Sequence, residues 1–270
     1  MLWEKKYPGD VDWFADITGK PLYSILDDTV ASYGNRPCID FLGKELSYKK
    51  ISQMVDRAAL GFQKLGGSKG TKVGLFLPNC PQFVISYFGI LKAGGVVVNY
   101  SPLYAENEIV HQLEDSDTDI MVTLNLKVLY PKIFNLLGKS RLKKIVVGTF
   151  PEFLPFPKNI LFPYLKRKEI SNIDNSSNII NFADLLNNDG NYEVSDIEPN
   201  EDIAVLQYTG GTTGVSKGAM LTHSNLFANL VQERLWFPGF NKGEESVMAV
   251  LPFFHVFAMT VVMNMSIQMG

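Results

Sequence analysis

The chain has 270 residues, of which 46% are hydrophobic and 20% charged, and its formal net charge is −3. A chain of this length buries enough surface for one large domain or two fused subdomains. The charge balance and the lack of a long basic run argue against nucleic-acid binding. Its two cysteines, Cys38 and Cys80, are too few and too far apart for a disulfide framework or a zinc site.

Two segments bear on location, and neither predicts a leader or a membrane span. Met1 to Asp10 contains no apolar stretch of signal-peptide length, so we predict a cytoplasmic protein. Val247 to Met269 has no formally charged side chain and is long enough to cross a bilayer. Pro252, His255 and the lack of a basic flank argue against a span. We predict instead a buried strand, Ser246 to Leu251, followed by a turn and a mostly buried helix.

Apolar periodicity and turn residues predict a series of helices and strands. In chain order they are a helix from Leu22 to Tyr33, a hairpin from Ile39 to Tyr48 around Gly43, a helix from Lys49 to Leu65, a strand from Val73 to Leu77, a helix from Gln82 to Lys92, a strand from Val96 to Val98, a helix from Glu106 to Leu113, a strand from Ile120 to Val122, a helix from Pro131 to Leu137 and a strand from Lys144 to Val147. This alternation predicts an α/β fold with mixed, mostly parallel sheets flanked by helices. Such sheets bind ligands at the carboxyl ends of their strands.

Residues Phe150 to Asn200 interrupt this alternation, because they are rich in Pro, Asn, Ser and Asp. The stretch from Phe153 to Lys168 carries aromatic and basic side chains that suit contact with a membrane surface. The alternative is a packed excursion whose basic end is solvated. We favour this alternative because the three prolines of the stretch prevent a continuous amphipathic helix.

A glycine- and hydroxyl-rich run lies between a strand that ends near Gln207 and a helix predicted from Asn225 to Leu235. Glycines allow close approach of the backbone to an anion, consecutive N–H groups can converge on phosphate oxygens, and Lys217 adds a mobile charge. The run is not a Walker A motif, because Ser216 precedes the lysine and Gly218 follows it. A flexible turn is the alternative interpretation, but the density of suitable residues favours phosphate binding. The candidate ligand-binding residues are Tyr208, Thr209, Gly210, Gly211, Thr212, Thr213, Gly214, Val215, Ser216, Lys217 and Gly218.

These residues, in the run YTGGTTGVSKGAMLTH, resemble the AMP-forming adenylating superfamily and are most similar to bacterial long-chain fatty acid–CoA ligases. Many members of the superfamily have Ser at Gly210 and Pro at Ser216, but the Gly-Gly form is typical of the long-chain ligases. The resemblance covers nearly the whole chain and includes, in the family's order, TVASYGNRP at 29–37, LSY at 46–48, NYSPLY at 99–104 and LPFFHVF at 251–257.

The resemblance implies that a fatty carboxylate attacks the α-phosphate of ATP, giving acyl-adenylate and pyrophosphate, and that coenzyme A then takes the acyl group as a thioester. It implies catalytic roles for Lys217 and for His255, which would lie between the acyl carboxylate and the α-phosphate and stabilise charge there. Without the resemblance, a histidine in an apolar run is more often a core residue. It also implies Mg²⁺, held by a glutamate beyond residue 270.

Other residues receive weaker predictions. His223 is expected to position the loop by hydrogen bonds, and His111 to lie on a helix face. The apolar side chains from Phe257 to Met263 would line an acyl tunnel, although simple core packing is the commoner role of such a row. Met259 stands where some long-chain members carry an aromatic gate, which leaves the gate in doubt.

By this resemblance, residues 1–270 are the N-terminal part of an acyl-CoA synthetase-like domain, at about half the usual length. The adenine-binding loop, the ribose-binding aspartate and the C-terminal lid domain would follow residue 270. We therefore expect the isolated chain to be inactive. The alternative is a non-catalytic half-domain that binds nucleotide or fatty acid, or an interaction fragment. Peripheral contact with the inner face of the cell membrane and a homodimer are left open.

Overall fold

The computed structural model describes Trp3 and residues 6–9, 11–209 and 216–270. The helices and strands, in chain order, are α1 (Ser24–Tyr33), β1 (Pro37–Phe41), β2 (Lys44–Ser47), α2 (Tyr48–Lys64), β3 (Lys72–Leu75), α3 (Pro81–Lys92), β4 (Val96–Asn99), α4 (Glu106–Ser116), β5 (Ile120–Leu124), α5 (Tyr130–Phe134), β6 (Lys144–Gly148), α6 (Lys158–Leu165), β7 (Ile179–Asn181), α7 (Phe182–Leu185), β8 (Ile203–Thr209), β9 (Lys217–Thr222), α8 (His223–Trp236), a π-helix (Ala258–Asn264) and α9 (Met265–Met269).

Seven strands form the main sheet, in the order β7-β6-β5-β3-β4-β8-β9. Every neighbouring pair from β7 to β8 is parallel, and β9 is antiparallel to β8. All residues of β4 and β5 are buried, as expected for the interior strands of a parallel sheet. The predicted α/β fold is confirmed.

Helix α3 is the central support of this sheet. Its residues are apolar nearly all round, and every one of them is buried, as in a helix enclosed on both sides. It contacts β3 and β4 on one side and α2 on the other. Pro81 opens the helix, where its missing N–H costs nothing, and Gly94 with φ +83° follows its end.

The predicted hairpin is also confirmed, since β1 and β2 pair antiparallel around Leu42 and Gly43. Both turn residues have positive φ, 55° and 96°, as a tight hairpin connection requires. The side chain of Ser47 then accepts a hydrogen bond from the backbone N–H of Lys50 and caps α2.

The segment from Phe150 to Asn200 contains more regular structure than its sequence indicates. Strand β7 pairs in parallel with β6 and extends the sheet, which the sequence analysis did not predict. As the three prolines predict, no continuous helix spans Phe153 to Lys168, but a short helix, α6, forms with Pro163 inside it. None of the side chains of α6 is buried. At this surface, water can solvate the carbonyl that the missing proline N–H leaves without its helical donor.

The predicted buried strand from Ser246 to Leu251 is wrong. These residues are exposed, and within the described part of the chain they form no strand. An apolar run becomes a strand only where a neighbouring strand supplies hydrogen-bond partners. The buried helix predicted after the turn is present, but residues Ala258–Asn264 are π-helical, a rare geometry that apolar spacing does not signal. Over the residues described, no helix has the length and apolar character needed to cross a membrane.

His223 connects the start of α8 to the segment before α1. Its imidazole is 1% exposed, and Nδ1 accepts a hydrogen bond of 3.0 Å from the backbone N–H of Leu22. This bond joins His223 to a residue 201 positions away in sequence, and the expected hydrogen bonds to the phosphate loop stay a prediction. Burial, which disfavours the charged ring, lowers the pKa of His223 to about 4.

This shift predicts a pH-dependent stability. The unfolded chain binds a proton on His223 below about pH 6.5, whereas the folded chain does so only near pH 4, so the free energy of unfolding falls as pH decreases across this window. The contribution is about 3 kcal/mol at most. Urea unfolding at several pH values should show a shallower slope for His223→Gln than for the unmodified chain. Equal slopes would contradict the assignment.

Candidate phosphate-loop site

The glycine-rich loop connects β8 and β9, which form a hairpin. Tyr208 pairs with Gly218 and Thr209 with Lys217, so the last two residues before the loop face the first two residues of β9. Thr209 and Lys217 are both exposed. The predicted strand before the loop is present, but the chain enters β9 before α8 begins at His223. The predicted helix is thus present as α8, and the intervening strand β9 was not predicted.

The middle of the predicted loop, comprising Gly210, Gly211, Thr212, Thr213, Gly214 and Val215, lies outside the described residues. Its two described ends lie at the carboxyl end of β8, which runs parallel to its neighbour β4. This is the edge at which open parallel sheets bind ligands. The hairpin thus places Thr209 and Lys217 where the sequence analysis expected a ligand.

Helix α4 contacts both ends of the loop. The Tyr208 hydroxyl donates a short hydrogen bond to Oδ2 of Asp115. One helical turn earlier, Nε2 of His111 lies 3.3 Å from the carbonyl oxygen of Ser216. His111 and Asp115 are four positions apart and therefore share a helix face. The sequence shows that spacing, but it does not show that Tyr208 and Ser216 are the residues these two side chains contact.

The environment of Tyr208 explains the glycine opposite it. A β-carbon added at Gly218 would lie 3.0 Å from two ring carbons of Tyr208, closer than most such contacts allow. The ring therefore lies against the backbone of Gly218, with its hydroxyl directed at Asp115. Burial, followed by the hydrogen bond to the Asp115 carboxylate, raises the pKa of Tyr208, so the phenol remains a donor at neutral pH.

A chain of three buried amides crosses the sheet beside the loop. Nε2 of Gln112 donates to the Asn99 carbonyl at 2.8 Å, and Nδ2 of Asn99 donates to Oε1 of Gln207 at 3.0 Å. Nε2 of Gln207 then donates to the carbonyl of Phe254 at 3.0 Å. These bonds bring the segment that carries His255 to the end of β8. We did not single out these amides from the sequence.

The side-chain amide of Asn79 also binds the residues just before Phe254. Nδ2 of Asn79, in the loop after β3, donates to the carbonyls of Ala249 and Leu251 at 2.9 and 2.8 Å. Its Oδ1 accepts a hydrogen bond of 2.8 Å from the N–H of Phe253. One side chain therefore supplies the partners that a neighbouring strand would otherwise provide.

His255 is exposed, and its ring centroid lies 4.6 Å from that of Phe254. It is followed by the π-helix, in which Met259 is fully buried with Sδ 3.3 Å from Nδ2 of Asn99. Val262 and Met263 line a cavity of about 570 Å³. The catalytic role of His255 and the acyl tunnel stay predictions. Among the described residues, no group of three His, Cys, Asp or Glu side chains could hold a metal ion.

Comparison with known proteins identifies the class. A family model of AMP-binding enzymes matches residues 26–270. The chain therefore belongs to the AMP-binding enzyme family. Among curated relatives, it is 41% identical over 271 residues to a long-chain-fatty-acid–CoA ligase of Bacillus subtilis and 34% identical over 282 residues to one of Escherichia coli.

These relatives are longer than the chain. The Bacillus subtilis alignment covers 99% of this chain and 48% of the relative, and the Escherichia coli alignment covers 100% and 49%. The chain thus spans about half the length of the curated relatives that it matches. A solved structure of a long-chain-fatty-acid-CoA ligase from Archaeoglobus fulgidus has a TM-score of 0.76 at 22% identity, covering 95% of this chain and 47% of that one. That likeness supports the fold.

The contact between α4 and the loop predicts energetic coupling. Tyr208→Phe and Asp115→Ala should each lower the free energy of unfolding, and their double variant should lose less than the sum, by about 1 kcal/mol or more. The physical reason is that both single changes remove the same charge-assisted hydrogen bond. Urea unfolding of the four proteins measures this difference. Glu114→Gln on the same helix is the control, and additive effects of the Tyr208 and Asp115 changes would show that the contact carries no energy.

Proposed function

We propose that the chain supplies the N-terminal, phosphate-loop part of an AMP-forming long-chain fatty acid–CoA ligase. In the first step a carboxylate oxygen of the fatty acid attacks the α-phosphorus of ATP, and the bond to pyrophosphate breaks. In the second step the thiol of coenzyme A, after losing its proton, attacks the acyl carbonyl, and AMP leaves. The names of the most similar curated relatives support this reaction class.

One structural observation carries the proposal for this chain. The hydrogen bond from Gln207 to the Phe254 carbonyl holds the His255 segment against the same strand, β8, from which the glycine-rich loop leaves. The loop and the histidine segment are thus both attached to the carboxyl-terminal end of β8, where Gln207 is buried. A reaction that joins a carboxylate to a phosphate needs a phosphate-binding group and a carboxylate-facing group side by side.

In this proposal each element has a distinct role. Lys217, exposed at the start of β9, neutralises charge on the β- and γ-phosphates and on the departing pyrophosphate. His255 lies between the carboxylate and the α-phosphate and donates a hydrogen bond that stabilises negative charge on their oxygens. A general base is unnecessary, since a carboxylate is already ionised at neutral pH. The cavity lined by Val262 and Met263 would take the first part of the acyl chain.

In this proposal, the complete enzyme uses coenzyme A as the acyl acceptor and magnesium as the ion that accompanies ATP. The described residues do not form a magnesium site, so we assign no step to the ion within this chain. The resemblance places the glutamate that would hold it, and the groups that would hold adenine, ribose and coenzyme A, in the part of the relatives that this chain does not span.

The sequence leaves contact with a membrane and formation of a homodimer open. Exposed apolar side chains on and beside α6, including Phe156, Tyr164 and Leu165, support a lipid-facing surface. The basic residues from Lys166 to Lys168 follow directly and would suit anionic headgroups.

Lys217→Ala should slow adenylate formation in the complete ligase by about tenfold or more, because it removes a positive charge from the pyrophosphate leaving group. Pyrophosphate release with palmitate and ATP measures the rate. Lys139→Ala, which removes another exposed lysine, is the matched control and should retain full activity. Wild-type turnover by Lys217→Ala would make this lysine an ordinary surface residue.

The alternative is a half-domain that binds nucleotide or fatty acid without catalysis, or that serves as an interaction fragment. An assay of isolated residues 1–270 with ATP, magnesium, palmitate and coenzyme A separates the two functions. We expect neither pyrophosphate nor thioester from this chain, and we expect self-association through the exposed apolar segment Val247–Leu251. Steady turnover by a monomer would overturn both the division of the catalytic groups and the expected aggregation.

A further inference from the structure

A second cavity, of about 600 Å³, lies between the N-terminal segment and the C-terminal part of α8. Its walls carry four aromatic side chains, Tyr7, Trp13, Trp236 and Phe237, and two carboxylates, Asp12 and Glu233. None of the described lining residues is a lysine or an arginine. We call this cavity the aromatic pocket. Neither the reaction proposed above nor the sequence analysis assigns it a function.

The aromatic rings of the pocket do not stack flat on one another. The ring centroids of Tyr7 and Trp13 are 4.7 Å apart with an interplanar angle of 82°, and those of Tyr7 and Trp236 are 5.1 Å apart at 53°. Trp13 and Trp236 also remain 39% and 49% exposed. This exposure leaves part of the two indole rings open to a ligand, and aromatic faces attract cations.

Glu233 gives the pocket an unusual acceptor. Its Oε2 atom is buried and has no hydrogen-bond partner among the described residues. Burial raises the pKa of this carboxyl to about 7. The titratable groups that share the cavity with it are Asp12 and Tyr7. A buried carboxylate oxygen without a donor is unfavourable, and a ligand that brings both a donor and a positive charge would relieve that cost.

We propose that the aromatic pocket binds a primary alkylammonium group, which donates hydrogen bonds to Glu233 while its alkyl carbons contact Trp13 and Trp236. A primary amine fits better than a quaternary one, because a quaternary ammonium has no N–H to satisfy Oε2. The same chemistry is offered by a free alkylamine and by an ethanolamine phospholipid headgroup. The proposal does not depend on the ligase function.

Calorimetric titration of the complete protein at pH 8 with butylammonium chloride tests this binding, with butan-1-ol as the neutral analogue of equal chain length. We expect butylammonium to bind at least tenfold more tightly than the alcohol, and Glu233→Gln and Trp236→Leu each to weaken it at least tenfold. Glu244→Gln, an exposed change outside the pocket, is the matched control. The affinity should fall from pH 8 to pH 6, as Glu233 becomes protonated.

Glu233→Gln also separates lost binding from lost folding. Because burial disfavours the charged carboxyl, the neutral amide should unfold at the same or a higher urea concentration at pH 8. Binding to vesicles that contain phosphatidylethanolamine, compared with vesicles of phosphatidylglycerol alone, distinguishes the two sources of the ammonium group. If the chain binds the phosphatidylethanolamine vesicles and Glu233→Gln does not, the ligand is the lipid headgroup. If only the free amine binds, the ligand is a small molecule. Equal affinity for butanol, an unchanged Glu233→Gln, or no binding of amine or vesicles would overturn the proposal.

Discussion

The hydrogen bonds of the buried amide of Gln207 fix the geometry of the candidate site. This side chain accepts from Asn99 on the neighbouring strand and donates to the backbone of Phe254, so it joins the sheet to the segment that carries His255. Each such bond contributes about 1 kcal/mol net, but a buried amide left without partners costs about 1–3 kcal/mol. The position of the Phe254 segment is therefore determined less by the strength of any one hydrogen bond than by the cost of leaving a buried amide without partners.

The loop hairpin depends on this network and on α4 together. Gln112 and Asp115 lie on the same helix, so the helix that bonds to Asn99 at the sheet also receives the Tyr208 hydroxyl beside the loop. A shift of α4 would disturb both contacts at once. The position of the two loop ends is thus set by packing in the interior as well as by the local sequence of glycines and hydroxyls.

Local patterns were sufficient where one element could be recognised alone. The apolar residues of α3 and the valines of β4 predicted their structures with boundaries correct to within one residue. Strand β7 was missed because it has only three residues, and β9 was missed because it begins within the run assigned to the phosphate loop. The strand predicted from Ser246 to Leu251 does not form, because its β-forming residues have no strand beside them in the described chain. The contacts of His111 and Asn79 join residues more than 100 positions apart and leave no periodic signal.

The manner in which Asn79 holds residues 249–253 has a consequence for motion. A strand in the middle of a sheet opens only when many ladder bonds break cooperatively, whereas the exposed residues 249–251 are held by two bonds from one side-chain nitrogen, Nδ2 of Asn79. Local opening is therefore expected to require only a few kcal/mol, well below global unfolding. The backbone amides of these residues should exchange hydrogen on their own timescale, while those of β3 and β4 remain protected.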